Sequence, residues 1–481
     1  MFDGSTRGRT RAQPRRSTIE KLVRSAAGGL LLRPWFDSTA LRLLTRWYFP
    51  LSRGWAAALE AGGSPDRFCE MVPCGRIGRR LLPSVMSRLE VRRAALEAAD
   101  TRWEAGFFGD GAADAALEAG RLRAAAALTN LRSAFIPLHL EHALPPVAFD
   151  VEPEVSVAHR HATRLTADAF ADSFDPAIVE ASRGFRFHNG IEGWVRFPAP
   201  SMPGSGAGSG SQAGTGQEMG PAETVWARVS APEVDSPSGA GPMPSLIFTH
   251  GIAMETEFTG DGRNPLGALV DAGIRVIRPE GPWHGRRRLP GTYGGEPVLA
   301  RGPGGMLDYF HAHAIELGRL VAWARATRGG PVAVGGVSLG ALTAQLVAVA
   351  ARWWPPEMCP DALFLVAPSR SLIAVAFEGS LTRALGVPHA IRSAGWSLRG
   401  IDRWRPLLEP VEPPVLPADR IIVVIGASDD VTLTAGGEAL VSAWDLPEEN
   451  VFRAPAGHFS TSLGLSRDQA PFRRLLKLLG K

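Results

Sequence analysis

The sequence predicts an α/β fold, a mostly parallel sheet with helices on both faces, with a helical N-terminal region ahead of it and a helical insertion within it. Three observations carry this. From Ser245 onward, short apolar runs alternate with helix-prone segments, the rhythm of strands that must be buried on both faces. Before Leu144, apolar residues recur instead at three- to four-residue spacing, as in Leu41, Leu44, Tyr48 and Leu51. Within the first of these regimes, Val332-Ala-Val-Gly-Gly-Val-Ser-Leu-Gly-Ala341 ends an apolar strand at a Gly-flanked serine and continues as a helix.

At 481 residues with 45% hydrophobic content the chain can bury a sizeable core. No apolar stretch approaches the roughly eighteen residues of a membrane-spanning helix. Residues 1–60 hold ten Arg and one Lys against four acids, so the formal charge of +4 belongs to the N-terminus. A short basic arm is not the basic, aromatic-studded face that nucleic acid requires, so no nucleic-acid partner is expected. The three cysteines, Cys69, Cys74 and Cys359, are too few for a disulfide framework, and a reducing cytoplasm is the expected compartment. No metal or organic cofactor is expected.

In chain order, residues 1–16 read as a disordered basic tail. The Arg15-Arg16 pair opens a twin-arginine export reading, but the apolar segment after it is only Ala26–Leu32, contains two glycines and is closed by Arg33. Residues 17–145 read as helical. Within them, residues 33–55 mix Trp35, Trp47, Tyr48, Phe49 and Trp55 with four arginines. That stretch is either a helix packing its aromatics on the rest of the chain, the reading favoured, or an amphipathic helix making peripheral contact with an anionic membrane. Residues 146–481 form the sheet-bearing domain. Phe185–Phe197 reads as a strand pair turning at Asn189-Gly190, 201–220 as a flexible Gly/Ser loop, and Ser245–Thr249 as the first buried strand. Ile274–Ile277, Pro331–Val334, Ala362–Val366 and Ile421–Ile425 follow as strands, with helices at Leu266–Ala272, Met306–Arg325, Ala341–Trp353 and Pro471–Leu479. Residues 370–418 break the alternation, where a lid would sit.

A serine hydroxyl becomes a nucleophile only beside a base and oxyanion donors, and a sharp strand-to-helix turn exposes it to both. Gly336 and Gly340 flank Ser338 at the positions that such a turn crowds. With 54 glycines the composition comes close to producing the pattern by accident, so the strand–turn–helix setting carries the weight. The base is expected to be His458, in the small-residue loop Ala456-Gly-His-Phe-Ser460, rather than His389. The orienting acid is expected at the end of Ile421-Ile-Val-Val-Ile-Gly-Ala-Ser-Asp-Asp430, with Asp429 favoured over Asp430. Oxyanion donors are expected from the amides of Leu339, at a helix N-terminus, and Ile252, after Thr249-His250-Gly251. His250 and His284 are weaker candidates for substrate contact. The run Arg286-Arg287-Arg288 reads either as an anion contact or as a solvated basic turn.

The strand ends at His250-Gly251 and Trp283-His284-Gly285, with Gly336-Val-Ser-Leu-Gly340, Gly426-Ala-Ser-Asp429 and Gly457-His458, together resemble the alpha/beta-hydrolase family over roughly residues 185–479. Thr249-His-Gly-Ile-Ala-Met-Glu255 and Trp283-His-Gly-Arg-Arg287 are more loosely similar to abhydrolase domain-containing eighteen-type proteins. The resemblance implies Ser338 as nucleophile, Asp429 as acid, His458 as base, and the amides of Ile252 and Leu339 as oxyanion hole. It implies cleavage of a small-molecule or lipid ester through an acyl-serine, with acyl transfer to an alcohol or a non-catalytic binding role as alternatives.

Overall fold

The computed structural model describes residue 28 and residues 33–166, 168–187, 190–200, 224–233, 241–254 and 266–481. The expected basic tail, the 201–220 loop and Asn189 of the hairpin turn lie outside the described residues. Among the described residues no helix is long and apolar enough to cross a membrane.

The N-terminal region is helical. Helix α1 (Pro34–Leu43) starts with proline, which suits the first helical turn because its missing N–H has no partner there. It runs through a π-helical turn, Leu44–Tyr48, into α2 (Phe49–Glu60). Helix α3 (Arg76–Phe107) and α4 (Ala115–Thr129) follow, the latter capped by the Asp114 carboxylate accepting from the amide of Leu117 at 2.7 Å. Leu82, Val85, Met86 and Leu89, three or four apart on one face of α3, close a small core with Trp55, Phe68, Phe135 and Leu138. Cys69 and Cys74, read as thiols in a reducing compartment, are instead joined by a disulfide beside this core. A five-residue separation is short enough for the helix end to bring them together.

Among the described residues ten strands form one sheet. Strands β1 (Glu180–Ala181), β2 (Phe185–Phe187), β3 (Gly190–Pro198) and β4 (Thr224–Pro232) are antiparallel. The parallel part comprises β5 (Ser245–Thr249), β6 (Arg275–Pro279), β7 (Val332–Val337), β8 (Ala362–Val366), β9 (Ile421–Gly426) and β10 (Val451–Ala454). The order is β1-β3-β4-β6-β5-β7-β8-β9-β10, with β2 beside β3. This mixed sheet, antiparallel at its start and parallel from β6 onward, with a crossover that puts β6 and β7 on opposite sides of β5, is the alpha/beta-hydrolase fold.

Alternate residues of each parallel strand enter different cores, as a two-residue side-chain period requires. Ile247, Val334, Leu365 and Val423 face α5 (Gly302–Arg328), α6 (Leu339–Ala350) and the insertion. Leu246, Ala333, Phe364 and Val424 face the helix Gly267–Asp271 and, across Phe472 and Leu475, the terminal helix α8 (Ala470–Leu478), which follows α7 (His458–Gly464). The insertion between β8 and β9 holds five short helices between Leu372 and Leu408, whose Leu381, Leu385, Ile391, Trp404 and Leu407 complete the first core. Strand β10 was not expected. Only Val451 of its four residues is fully buried, and it sits at the sheet edge, too short a run to show periodicity.

The helical region is fastened to the sheet by charge as well as by rings. Trp103 and Phe107 of α3 pack on Trp194 and Phe185. Beside them the Arg228 side chain, fully buried on β4, donates to Glu118 of α4 at 3.1 Å and to Glu192 of β3. Burial alone would raise the Glu118 carboxyl, but the charges of Arg121 and Arg228 hold it below its ordinary value. Replacing Arg228 leaves two buried carboxylates short of a partner. Arg228→Met is therefore expected to destabilise the fold by about 3–5 kcal/mol. Urea unfolding measures this, and a loss under about 1 kcal/mol would mean that the pairing does not hold the two layers together.

Candidate active site

Neighbouring strands that send their following connections to opposite sides leave a crevice at their carboxyl ends. The crossover between β5 and β7 makes such a crevice, flanked by the Gly251–Met254 loop and by Ser338. Ser338 has φ 56 and ψ −119, a conformation rare for a residue with a side chain. Gly336 makes it possible, because a Cβ there would lie 2.5 Å from the Gly340 carbonyl carbon. A Cβ on Gly340 would in turn drive into the Thr249 carbonyl at the end of β5. The Ser338 amide donates to the carbonyl of Val366 at 2.9 Å, pinning the turn to β8. Its side chain is left half-buried and facing the crevice.

The structure brings together the three residues expected from different strands. The Ser338 hydroxyl donates to His458 Nε2 at 2.9 Å, and His458 Nδ1–H donates to Asp429 Oδ2 at 2.8 Å. This direction follows from the carboxylate, which can only accept, so Nδ1 carries the proton and Nε2 is the base. Asp429 is 6% exposed and His458 5%, so the pair is shielded while Ser338 stays reachable. Asp430 points elsewhere, accepting from the Ser380 hydroxyl at 3.0 Å, and His389 is exposed on the insertion.

Asp429 is held on both oxygens. Oδ1 accepts from the amides of Val431 at 2.9 Å and Thr432 at 3.0 Å, while Oδ2 also accepts from the Thr432 hydroxyl at 2.8 Å. Burial alone would raise this carboxyl, but His458 and Thr432 together hold it below the usual aspartate value. Thr432 was not anticipated, although an Asp followed three residues later by Thr is a recognisable turn signal.

The two amides expected to stabilise an oxyanion flank Ser338. Leu339 opens α6, where the first amides have no intrahelical acceptor. Ile252 follows Gly251, whose position for a Cβ lies 3.6 Å from Ser338 Cβ.

The structure gives both weaker substrate candidates backbone partners. His250 has both ring nitrogens committed to backbone: Nδ1–H donates to the Gly251 carbonyl at 2.7 Å, and Nε2 accepts from the Gly281 amide at 3.0 Å. It stitches the loops after β5 and β6 together. His284 is fully buried, donates from Nδ1 to the Pro282 carbonyl at 2.8 Å, and packs against His250 with ring centroids 4.6 Å apart. Polar residues at strand ends serve backbone bonding as readily as ligand binding, and the sequence does not separate the two.

The arginine run is paired and stacked against the protein, not a freely solvated turn. Arg287 is 1% exposed and pairs with Glu316 through bonds of 2.9 and 2.6 Å. Arg286 bonds Asp100 at 2.8 Å and lies over Trp103 at 4.3 Å, while Arg288 lies over Trp55 at 4.6 Å. Glu316 also accepts from His313 Nδ1 at 2.9 Å, and His313 Nε2 accepts from the Thr249 hydroxyl at 2.7 Å. This Thr249–His313–Glu316–Arg287 chain lies beneath the 250–254 loop and was not read from the sequence, although His313 and Glu316 share a face of α5. Among the described residues no cluster of His, Cys, Asp or Glu could hold a metal ion.

No protein-family model matches the sequence, and no curated protein matches it. Among solved structures, an acetyl xylan esterase from Paenibacillus sp. R4 is 13% identical, covers 66% of this chain and 93% of its own, and has a TM-score of 0.42. A protein from Thermus thermophilus is 19% identical, covers 53% of this chain and 94% of its own, with a TM-score of 0.37. A cold-adapted esterase from an Arctic intertidal metagenomic library is 13% identical over 60% of this chain and 96% of its own, with a TM-score of 0.34. The fold assignment rests on the strand order and pairing described above.

Five imidazoles packed in this interior give the molecule a defined response to acid. Burial is the largest cause in each: it lowers His161 to about 2, His250 to about 3 and His311 to about 4, and also depresses His284 and His313. A depressed folded value means that the unfolded chain takes up protons first. The stability they confer is full above the ordinary imidazole value of about 6.5 and is lost as pH falls below it, by about 1.4 kcal/mol per pH unit for each group. Denaturant unfolding is expected to show a steep loss between about pH 7 and about pH 5, and a flat profile there would mean that these rings are not kept neutral.

Proposed function

We propose that the chain is a serine hydrolase that cleaves a carboxylic ester through an acyl-serine intermediate. The observation that carries this is the hydrogen-bonded line from the Ser338 hydroxyl through His458 to Asp429, on a strained turn beside two backbone amides. Ser338 Oγ attacks the ester carbonyl while its proton passes to His458 Nε2. The imidazolium that forms is stabilised by Asp429, already held in the ionised form. Negative charge on the former carbonyl oxygen is met by the amides of Leu339 and Ile252. Collapse expels the alcohol, which takes the proton from Nε2. A water then gives its proton to Nε2, attacks the acyl carbon and releases the carboxylic acid, and the proton returns to Ser338.

The triad gives one proton to an alcohol or to an amine leaving group alike; an ester is chosen because an alkoxide is the better leaving group, so its acylation asks least of the site.

A fluorophosphonate probe is expected to label the wild type and not Ser338→Ala. Asp429→Asn is expected to keep the fold and lower kcat by about 10⁴-fold, since the amide no longer holds the imidazole in the required tautomer. Activity on a panel of esters of increasing acyl length gives the class of substrate. Absence of labelling in the folded wild type would exclude the reading, and dominant acyl transfer to low concentrations of added alcohol would replace hydrolysis with transfer.

A further inference from the structure

The residues that hold His458 in place come from the opposite end of the chain. Asp37, in the first turns of α1, is 7% exposed although Trp35, Ser38 and Thr39 beside it face solvent. Its carboxylate caps α7: Oδ1 accepts from the amides of Phe459 at 2.6 Å and Ser460 at 3.0 Å, and Oδ2 accepts from the Ser460 hydroxyl. That hydroxyl accepts in turn from the Gly457 amide at 2.9 Å. The backbone on both sides of His458 is thus tied to one carboxylate. Gly457 has no room for a side chain here, because a Cβ would lie 2.7 Å from Asp37 Oδ2. His458 itself contributes nothing to this cap, so its ring is free to face Ser338 and Asp429.

The same helical rod reaches the other side of the crevice. Tyr48, which closes the π-helical turn between α1 and α2, donates its hydroxyl to the carbonyl of Ala253 at 2.8 Å. Ala253 has φ 68, an unfavourable conformation for a residue with a Cβ, next to the amide of Ile252. Asp37 and Tyr48 are eleven residues apart, about 16 Å along a helix axis. One element therefore grips the loop bearing His458 and the loop bearing Ile252. The extra residue of the π turn rotates Tyr48 relative to a regular helix, and such turns mark positions where a side chain must be re-aimed.

We propose that the N-terminal helix is a positioning element of the reaction centre, with the Asp37 carboxylate fixing the His458 loop and the Tyr48 hydroxyl fixing the oxyanion loop. This rests on the serine hydrolase reading for its consequence on rate, though not for its geometry. Neither residue touches substrate. Each acts through backbone that carries a reacting group, so its loss displaces that group by a fraction of an ångström to an ångström, without removing a binding contact. Errors of that size cost about a hundredfold in rate.

The full-length chain tests this with Asp37→Ala, Asp37→Asn and Tyr48→Phe. Asp37→Ala is expected to slow fluorophosphonate labelling and to lower kcat by about 10- to 100-fold. KM should stay within about twofold, as for an interaction that matters only in the transition state. Asparagine caps helices about as well as aspartate and can bond the Ser460 hydroxyl through its NH2 group, so Asp37→Asn is expected to recover activity to within about threefold. Amide hydrogen exchange over 457–461 should accelerate in Asp37→Ala, and over 250–254 in Tyr48→Phe, including in a Ser338→Ala background. Wild-type labelling and kcat in Asp37→Ala would overturn the proposal, as would an Asp37→Asn protein as impaired as the alanine variant. If Asp37→Ala does not fold, Tyr48→Phe decides: unchanged exchange over 250–254 with unchanged labelling overturns the proposal, and faster exchange with slower labelling supports it. A folded wild type that the probe does not label overturns the hydrolase reading alone, and the exchange measurements then decide the positioning role by themselves.

Discussion

Ser338 occupies backbone space that costs on the order of 1–3 kcal/mol, and the molecule keeps it there by leaving the turn no other place to go. Strand β7 is paired on both sides, with β5 and with β8, so its end cannot swing. Past that end, the Ser338 amide is bonded to the Val366 carbonyl and the Ser338 carbonyl accepts from the amide of Leu342. The return of the chain into α6 is possible only because Gly336 and Gly340 pass at backbone contact, and Gly340 also lies on the Thr249 carbonyl. One close approach thus fixes the serine, the first amides of α6 and the end of β5. Every other group at the site has to be brought to that point.

Each is brought by backbone bonding in preference to apolar packing. Asp429 is held by two amides and a hydroxyl before it meets His458. The 250–254 loop is held by His250, whose neutral ring spans to the loop after β6, and from beneath by Thr249 through His313 and Glu316. Burial keeps the imidazoles here uncharged, and Glu316 is matched by Arg287, so this layer is polar without carrying net charge. Donors held in such a layer need no reorganisation when charge develops nearby, the condition under which a hydrogen bond assists a reaction most.

The parts of this arrangement that could be read from the sequence are those whose cause is local. The strain at Ser338 demands small neighbours two residues away, and Gly336 and Gly340 announce it. Buried parallel strands announce themselves as apolar runs, and Ala362–Val366 coincides with β8 to the residue. Edges moved where side chains did not change character: the helix expected at Met306 starts at Gly302, since Pro303 is acceptable in a first turn. Roles that depend on distant partners were not legible. Arg286 and Arg288 read as surface charge because the tryptophans they stack on, Trp103 and Trp55, belong to another part of the chain. Asp37 carries no local mark at all, since its partners are Phe459 and Ser460.

The same distinction settles what kind of part the N-terminal helices are. An appended region would meet the sheet domain through a polar, replaceable surface. Here the contact is made in three places: Trp103 against Trp194 of β3 and Glu118 with Arg228 of β4, Arg53 with Glu296 at 3.2 Å near the start of α5, and Asp37 with Tyr48 at the crevice. Phe49 and Trp55, which together with Trp35 gave residues 33–55 their amphipathic look, are 1% and 0% exposed, whereas Trp35 is 54% exposed. Two of the five aromatics are therefore core, Trp47 and Tyr48 are half-buried, and α1 turns Trp35 and Leu43 outward. Burying Arg53 beside Glu296 is unfavourable unless both arrive together, because either alone would be an unpaired charge in a dry interior. Helices and sheet must consequently form as one cooperative unit, and the groups around Ser338 acquire their positions only when that unit is complete.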